Sequence, residues 1–557
     1  MAPISYLLVL ACLLRLSTQR STPADDSYVA AVVEYQAAGT TRGNLANYQK
    51  HIQDAAEQNA DIIVFPEMTL GRGGDQVEVP IGGRLVDYPV PALNPDKYHE
   101  ILVNVSAAAL EHGIYVVINT EEVVDCTSNP VGEDCPEAKR YLFNTNVVFD
   151  RSGAIIDRYR KINLFGERSR TPALTPDLGV FDTDFGVKFG HYICFDLMFQ
   201  VPALQVVEKL NINDVIFTTM WFSEMPYLSA VQIQQAYAYA MGINFLASGA
   251  NRVEVGSAGS GIYSGKAGAL ASTMPGLPTT RLLVARVPKV PGQVSSQIPG
   301  PIYDPPADHD SLVLISDPSF PSHVTRQLVP GVQTFTLVDR EVSCTFRINM
   351  KENQPANGVS SYKYRAAAFA GVRSFSGMAT GGSRVCSVVA CTGDTIDTCA
   401  KRFTQYNSNT TAIFEELSIV ASVPTPVVIQ NVSARDSGFF PVSLDVSIMP
   451  LESDYYTYSE DIQGSTTVYS LTLNKKDAEL YSFAVWGRYY LTDGNEADPP
   501  VAIDDGENNG DSGSQNVTDS PLLTEGEGEP DSACVHVISS LMVVMVLGLM
   551  LNNLLIV

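Results

Sequence analysis

The segment Val187-Lys-Phe-Gly-His-Tyr-Ile-Cys-Phe195 decides the fold assignment. It is a short apolar run, which predicts a buried strand, and Cys194 lies near its end. Similar runs occur on both sides of it, at Val29–Tyr35, Asp61–Phe65, Tyr115–Asn119, Asn146–Phe149, Asp214–Met220 and Asn244–Gly249. Between several of them, apolar residues recur at helical spacing: Leu45, Tyr48, Ile52 and Ala55, then Ile101, Val105, Ala108 and His112, then a helix over Ser229–Met241. This alternation predicts an α/β domain with helices covering the sheet faces.

The second half of the chain has a different pattern. Residues 291–310 hold many Pro and Gly and show no periodicity. Beyond them, strand-like runs dominate and helical patterns are scarce, the clearest runs being Thr334–Val338, Val468–Leu473 and Ser482–Thr492. We therefore predict an α/β domain over residues 25–290 and a smaller β-rich domain over residues 291–503.

Composition limits the possible functions. Hydrophobic residues make up 45% of the 557 residues and charged residues 17%, as in globular proteins. The formal net charge of −25 repels phosphate backbones, which argues against a nucleic-acid partner. Residues 504–532 are acidic and contain no Lys or Arg, so we predict a solvated, flexible stalk there.

The two ends of the sequence predict its destination. The apolar run Ile4–Leu16 is short for a membrane span and is typical of a secretory signal, which we place at residues 1–24. At the other end, Leu541–Val557 is apolar and no Lys or Arg follows it. That arrangement favours a GPI-attachment signal, residues 533–557, over a membrane span. We choose Ser532 as the attachment residue, with Asp531 as the alternative, and expect the protein on the extracellular face of the cell membrane.

Cysteines and glycosylation motifs agree with export. Cys126 and Cys135 are close enough in sequence to pair, and an even set of four follows in the β-rich half: Cys344, Cys386, Cys391 and Cys399. Cys194 remains as an unpaired thiol in an oxidising compartment. Four Asn-x-Ser/Thr motifs are candidate glycan acceptors, at Asn104, Asn409, Asn431 and Asn516, and we expect Asn104 on an exposed helix face.

Three polar residues stand at the ends of predicted strands. Glu67 follows Ile62–Pro66, Lys161 follows Ile155–Arg160, and Cys194 lies near the end of Val187–Phe195. Singly, they have ordinary explanations: a surface carboxylate, a solvent-facing lysine and an inert buried thiol. Because α/β folds present catalytic groups at the carboxyl ends of strands, the three together predict one site.

These residue types are sufficient for amide hydrolysis. A carboxylate can take the thiol proton of Cys194, and the Lys161 ammonium can face the negative oxygen of a tetrahedral intermediate. The backbone N–H of Phe195 is a candidate second donor. Glu67 would then activate the water that hydrolyses the thioester, and the cycle requires no metal or cofactor.

Competing chemistries lack their motifs. The seven His residues are scattered, and neither a His-x-x-x-His nor a Cys-x-x-Cys pair is present for zinc. No Gly-x-Ser-x-Gly elbow occurs, and the Gly-rich run Gly256–Gly261 lacks the lysine of a phosphate loop. His191, three residues before Cys194, would point to the opposite strand face, so we do not predict a Cys–His dyad.

Three segments resemble the signatures of the nitrilase, or carbon–nitrogen hydrolase, superfamily: Phe65-Pro-Glu67, Tyr159-Arg-Lys-Ile-Asn-Leu-Phe165 and Ile193-Cys-Phe-Asp196. Further segments resemble its biotinidase and vanin (pantetheinase) branch: Leu228–Val231, Asn244–Ser248, Gly259–Tyr263, Ala370–Phe375 and Val385–Cys391. The resemblance implies an αββα sandwich, with Glu67 as proton acceptor, Lys161 as proton donor or oxyanion stabiliser and Cys194 as nucleophile. It also implies a supporting role for Glu167 and a place near the substrate for Trp221.

Three functional hypotheses follow from the sequence. The first is a GPI-anchored amidase that cleaves pantetheine to pantothenate and cysteamine. The second keeps the mechanism but takes biotinyl amides as its substrates. Residues 251–257 differ from those expected of vertebrate vanins, which weakens the inference of pantetheine. The third is an adhesion or signalling ectodomain without turnover. The physiological amide and the oligomeric state do not follow from the sequence.

The predicted anchor can be tested on intact cells. Phosphatidylinositol-specific phospholipase C is expected to release the full-length protein, because a lipid attached near Ser532 would be its only hold on the membrane. Immunoblots of medium and cell pellet measure the release. Protein that stays with the cells and keeps its apolar C-terminal segment would contradict the anchor and favour a membrane span.

Overall fold

The computed structural model describes residues 20–501 except 72–74, 81, 128–133, 174, 176, 295–298, 303 and 354–357. Most of the predicted signal peptide lies outside the described residues, as do the stalk, the anchor signal, Asn516 and Ser532. None of the described helices has the length and apolar character that crossing a bilayer requires.

Fifteen strands occupy the first part of the described chain. In chain order they are β1 Ser27–Glu34, β2 Ile62–Val64, β3 Tyr115–Asp125, β4 Arg140–Phe149, β5 Ile155–Arg160, β6 Gly179–Asp182, β7 Lys188–Ile193, β8 Asp214–Thr219, β9 Glu224–Met225, β10 Asn244–Gly249, β11 Ser260–Ser264, β12 Ala269–Thr273, β13 Arg281–Pro288, β14 Gly300–Pro301 and β15 Ile315–Ser316. Two sheets dominate, with strand orders β13-β1-β2-β3-β4-β5 and β14-β12-β11-β10-β8-β7-β6. The short strands β9 and β15 pair with each other in parallel.

The two large sheets face each other across an apolar core. Alternate residues of β1, such as Tyr28, Ala30 and Val32, pack with Phe189 of β7 and Ile216 of β8 in one buried cluster. Because successive side chains of a strand point to opposite faces, the remaining alternate residues are free to pack against helices.

Helices cover the outer faces of both sheets. Their bounds are α1 Thr41–Glu57, α2 Gly83–Asp87, α3 Glu100–His112, α4 Gln205–Glu208 and α5 Ala230–Met241. Apolar residues of α1 and α3 join those of β1 and β2 in one cluster, and α5 packs on the other sheet. The result is the predicted αββα sandwich.

Local sequence sets the helix ends. The Thr40 side chain accepts a hydrogen bond from the Gly43 N–H at the start of α1, which satisfies a free backbone donor. Helix α3 stops at Gly113, whose φ of +59° suits glycine, and α5 starts where the Gln232 side chain accepts from the Ser229 N–H. The predicted helices therefore form, with bounds within a few residues of those expected.

The β-rich half forms two five-stranded sheets. The strands are β16 Val324–Gln327, β17 Gly331–Asp339, β18 Val342–Lys351, β19 Lys363–Phe375, β20 Ala379–Cys391, β21 Ile413–Pro424, β22 Val428–Ile429, β23 Ala434–Arg435, β24 Ser437–Asp445, β25 Tyr456–Gln463, β26 Thr466–Leu473 and β27 Leu480–Tyr489. The sheet orders are β16-β19-β20-β27-β24 and β17-β18-β21-β26-β25, and β22 pairs with β23. Phe346, Ile419 and Leu471 of one sheet share a core with Ala368 and Val485 of the other.

The two halves also share a core. Helix α5 and the outer face of the β7–β8–β10 sheet pack against Phe369, Val442 and Trp486 of the β-rich half. Most of this contact is apolar, so it stabilises both halves by removing their surfaces from water. The domain limits given above, with a boundary at residue 290, stay a prediction.

All six cysteines expected to form disulfides do so. The pairs are Cys126–Cys135, Cys344–Cys386 and Cys391–Cys399, and Cys194 is free and buried. The local pairing of Cys126 is confirmed. Cys344 lies on β18 and Cys386 on β20, so their bond joins the two sheets of the β-rich half.

Removing the two disulfides of the β-rich half is expected to have unequal effects. Cys344 and Cys386 enclose a separation of 42 residues, whereas Cys391 and Cys399 enclose 8. Loop-closure entropy then predicts a loss of ~4 kcal/mol for Cys344→Ala/Cys386→Ala and ~2.5 kcal/mol for Cys391→Ala/Cys399→Ala. Denaturant unfolding followed by tryptophan fluorescence measures both, since Trp486 is buried in this half. Equal losses of unfolding free energy would contradict the larger stabilisation expected of the Cys344–Cys386 bond.

Candidate active site

Side chains from four strand ends meet at one edge of the two large sheets. Glu67 follows β2, Lys161 follows β5, Cys194 follows β7, and Met220 follows β8. The β2, β3 and β5 strands run in the same direction, and so do β7 and β8, which brings their carboxyl ends to one side. The three residues predicted from sequence are thereby gathered at one site.

Lys161 is the buried cation of this site. Its side chain is 1% exposed, and its Nζ lies 2.8 Å from Oε1 of Glu67 and also contacts Oε1 of Glu167. Burial lowers the pKa of Lys161, but the carboxylates of Glu67 and Glu167 outweigh it and hold the pKa well above its ordinary value. Lys161 is therefore a permanent ammonium.

Amide side chains fix the position of Glu67. Asn144 Nδ2 donates to Oε1 of Glu67 at 2.7 Å and to Oε2 of Glu167 at 3.0 Å. Asn119 Nδ2 in turn donates to Oδ1 of Asn144 at 2.8 Å, and the Asn119 Oδ1 accepts from the Met68 N–H. These buried hydrogen bonds hold the carboxylate in one orientation, because leaving any of them unmade is costly.

Cys194 lies on a sharp turn between β7 and a short 3₁₀ helix over Cys194–Met198. Its φ is +50°, a left-handed conformation that costs a side-chain-bearing residue roughly 1–3 kcal/mol. Asp196 holds this turn: it accepts hydrogen bonds from the Ile193 N–H, the Asn163 N–H and the Tyr159 hydroxyl. We infer that Asp196 compensates for the strain that aims the thiol.

The Met220 peptide joins the thiol to the carboxylate. The Met220 N–H donates to Oε2 of Glu67 at 2.7 Å, and the Cys194 thiol donates to the Met220 carbonyl with Sγ 3.6 Å from the oxygen. Burial and the charge of Glu67 raise the pKa of Cys194 well above its usual range, outweighing the nearby Lys161 ammonium. The resting group is thus a neutral thiol.

A largely aromatic pocket of about 360 Å³ opens beside Cys194. Its polar side chains are those of Cys194, Glu224 and Ser376. The remaining lining side chains are apolar: Phe165, Phe195, Met198, Trp221, Phe222, Leu228 and Phe375. A pocket of this kind excludes water from the thiol and suits a small, mostly apolar acyl group.

The supporting residues predicted from sequence also lie at the site. Glu167 contacts Lys161, and the Phe195 and Trp221 rings line the pocket. The Trp221 Nε1 donates to the Leu228 carbonyl at 2.8 Å, which fixes its indole. The roles of Glu67, Lys161, Cys194 and these supporting residues stay predictions.

The structure also places His191 and three of the predicted glycan acceptors. The His191 ring is held by Asp157, with Nε2 2.8 Å from Oδ2, in keeping with the decision not to pair it with Cys194. Asn409 and Asn431 are exposed, but the expectation for Asn104 is only partly met. Asn104 is half-buried, because its amide folds back to donate to the Glu100 carbonyl and lies 3.5 Å from Gln49.

Several site residues were not singled out from sequence. Asn119 directly follows the apolar run Tyr115–Ile118 and Asn144 directly follows Tyr141–Phe143, and an amide at the end of such a run was the available signal. Glu224 and the pair Phe375 and Ser376 gave no signal, because they reach the pocket from distant parts of the chain. Within the described residues, no group of three or more His, Cys, Asp or Glu side chains is placed to hold a metal ion.

Comparisons with known proteins agree with this geometry. Residues 29–279 match the carbon–nitrogen hydrolase family, and residues 315–493 match the vanin C-terminal domain. Vanin-like protein 1 of Drosophila melanogaster is 33% identical over 526 residues, which cover 87% of this chain and 89% of that protein. Human biotinidase is 33% identical over 300 residues, 52% of this chain and 54% of that protein.

A solved structure is also similar. An amidase from Nesterenkonia sp. matches 49% of this chain and 94% of its own, with 18% identity and a TM-score of 0.36.

The fold and the family matches define the class: the protein is a hydrolase of the nitrilase superfamily that acts on carbon–nitrogen bonds of amides. Within that class, the chain belongs to the vanin-like family, in the branch that also includes biotinidases.

Asp196→Asn is expected to lower kcat by roughly 10- to 100-fold with a smaller effect on KM, because an amide nitrogen cannot accept the hydrogen bonds that hold the Cys194 turn. Asp461→Asn, an exposed carboxylate on β25, is the matched control. Steady-state kinetics on an amide substrate measure both. A variant with wild-type kcat would show that the turn does not depend on Asp196.

The same carboxyl group predicts a pH dependence. Burial raises the pKa of Asp196 to about 6, although Tyr159, Lys161 and Asn163 oppose the rise. Its contribution to stability is therefore complete below the unfolded pKa and is lost as the pH rises through about 6. Activity should instead fall as the pH drops through about 6, because a protonated Asp196 is a poorer acceptor for the hydrogen bonds that hold the Cys194 turn. Circular dichroism at the same pH values checks that the protein stays folded.

Proposed function

We propose that the protein hydrolyses small linear amides through a thioester on Cys194. The observation that supports this most strongly is the arrangement of one buried ammonium, one carboxylate and one free thiol around the Met220 peptide. The thiol is unpaired while the other described cysteines form disulfides, so it is available for chemistry.

The first half-reaction forms a carbon–sulfur bond and breaks a carbon–nitrogen bond. Because the resting thiol is neutral, its proton passes to Glu67 as the sulfur attacks the amide carbonyl. The Lys161 ammonium, with the backbone N–H of Phe195, faces the oxygen that becomes negative; one such donor is worth roughly 10²–10³ in rate. Glu67 then returns the proton to the departing amine.

The second half-reaction releases the acid. A water molecule gives its proton to Glu67 and attacks the thioester carbonyl, and the thiolate leaves and regains that proton. Glu167 has a supporting role, because its carboxylate shares Lys161 with Glu67 and keeps the ammonium oriented. The proton, the acyl group and the amine are all accounted for by groups at the site.

Pantetheine is the leading substrate, cleaved to pantothenate and cysteamine, as implied by the resemblance to vanins. The vanin C-terminal domain match over residues 315–493 supports this choice. Biotinyl amides are the second candidate, supported by the similarity to biotinidases, which covers 42% of this chain for the mouse protein and 52% for the human protein. Measuring the kcat/KM of one purified protein on pantetheine and on a biotinyl amide distinguishes the two candidate substrates.

We also propose that the protein is secreted and held on the outer cell surface by a GPI lipid. Three disulfides support an oxidising compartment, and the exposed side chains of Asn409 and Asn431 could accept glycans. The oligomeric state is left open.

Cys194→Ala is expected to lower kcat/KM for pantetheine by at least ~10³-fold, because no other group supplies the nucleophile. Secretion and folding should be unchanged, since the thiol makes no disulfide. Release of cysteamine by purified wild-type and variant proteins measures the effect. Cys12 lies in the predicted signal peptide and is therefore unsuitable as a control. The double variant Cys126→Ala/Cys135→Ala, which removes a disulfide, is the cysteine control and should retain activity. Wild-type turnover by Cys194→Ala would refute the assignment.

A further inference from the structure

Part of the pocket wall comes from the β-rich half of the chain. Phe375 and Ser376 line the pocket, yet they stand at the turn between β19 and β20, far in sequence from Cys194. The turn continues through Gly377, whose φ of +74° suits glycine, to Met378. We call residues 375–378 the wall turn.

An ion pair holds one side of the wall turn against strand β9. The Glu224 carboxylate contacts the Arg373 guanidinium through Oε1 and accepts a hydrogen bond of 2.5 Å from the Ser376 hydroxyl through Oε2. Arg373 Nη1 also lies 3.3 Å from Oδ2 of Asp317. Glu224 and Arg373 are 5% and 2% exposed, so the pair is buried and breaking it would leave an unpaired charge.

The other side of the wall turn rests on the loop that carries Glu167. A side-chain carbon added at Gly166 would lie only 2.9 Å from Sδ of Met378. The wall turn therefore reaches from Glu224 to the neighbour of Glu167, and its position is set at both ends by residues of the first domain.

Charges around the pocket are unevenly distributed. None of the described residues that line the pocket is a Lys or an Arg. Behind the lining, Lys161 faces the carboxyl groups of Glu67 and Glu167, and Arg373 faces those of Glu224 and Asp317. An acyl group that carries its own carboxylate would therefore meet Glu224 and aromatic faces but no cation in the lining, which is unfavourable.

Ser376 adds a neutral polar group to the wall. Its hydroxyl donates to Glu224, which leaves its oxygen lone pairs able to accept, and the Glu224 carboxylate keeps further acceptor positions. A hydroxyl or amide N–H on the acyl group would find an acceptor there. The other lining side chains apart from Cys194 offer only apolar contact or, in Trp221, a donor already used.

We propose that Ser376 and Glu224 determine specificity, with Glu224 held in place by Arg373: the wall turn selects acyl groups that carry a neutral hydrogen-bond donor and rejects acyl groups that carry a carboxylate. This assignment rests on the proposed amidase activity. It makes the second domain a contributor to substrate choice at the first domain's active site.

The test uses amides of one fluorescent aromatic amine with straight-chain acyl groups that end in methyl, hydroxyl or carboxylate. For the wild-type protein, the best carboxylate-ended amide should show a kcat/KM at least ~10-fold below that of the methyl-ended amide of matched length. The best hydroxyl-ended amide should exceed its methyl-ended partner by roughly 3- to 10-fold.

Two variants assign these preferences to residues. Ser376→Ala should lower the kcat/KM of the hydroxyl-ended amide relative to that of the methyl-ended amide. Glu224→Gln should reduce the difference in kcat/KM between the methyl-ended and carboxylate-ended amides, because it removes the negative charge at this position. Ser459→Ala, an exposed serine on β25, is the matched control and should behave as wild type.

The outcomes separate this assignment from the proposed activity. Wild-type protein that hydrolyses none of these amides, nor pantetheine, overturns the proposed function and the assignment with it. Wild-type protein that hydrolyses methyl-ended and carboxylate-ended amides equally well overturns the assignment alone, and this arm requires no variant to fold. Unchanged preferences in well-folded Ser376→Ala and Glu224→Gln overturn it as well.

Discussion

The site depends on one interaction, the contact of the buried Lys161 ammonium with the carboxylates of Glu67 and Glu167. A lysine with 1% of its side chain exposed is stable as a cation only when carboxylates surround it, and Glu67 and Glu167 do so. Their positions depend in turn on Asn144 and the amides behind it. Burial, together with the charge of Glu67, raises the pKa of the Cys194 thiol, so the site at rest holds a neutral thiol beside a carboxylate.

This arrangement requires two sheets and a strained turn. Glu67 and Lys161 belong to one sheet and Cys194 to the other, so the sandwich itself sets how the base and the nucleophile approach each other. The left-handed φ of Cys194 is compensated by the hydrogen bonds to Asp196. The β-rich half then closes part of the pocket with Phe375 and Ser376. Chemistry and substrate choice therefore depend on different parts of the chain.

Much of this could be predicted from sequence. Strand-like runs ending in Glu67, Lys161 and Cys194 placed these groups at strand ends, because the pattern of buried strands is local. The family resemblance supplied the αββα order, which periodicity could not. Contacts between distant residues were not predicted: Glu224 with Arg373, or Asn119 with Asn144, depend on how strands from separate segments align. Nor does the sequence indicate the raised pKa of Cys194, which depends mainly on burial.

The central claim is that Cys194 becomes acylated during turnover. Rapid acid quench of the purified protein with an amide substrate, followed by peptide mass spectrometry, tests it most directly. We expect a peptide that contains Cys194 and has gained the mass of the acyl group, formed no later than the amine is released. Amine release at full rate with Cys194 unmodified, or with the acyl group on another residue, would contradict the thioester mechanism.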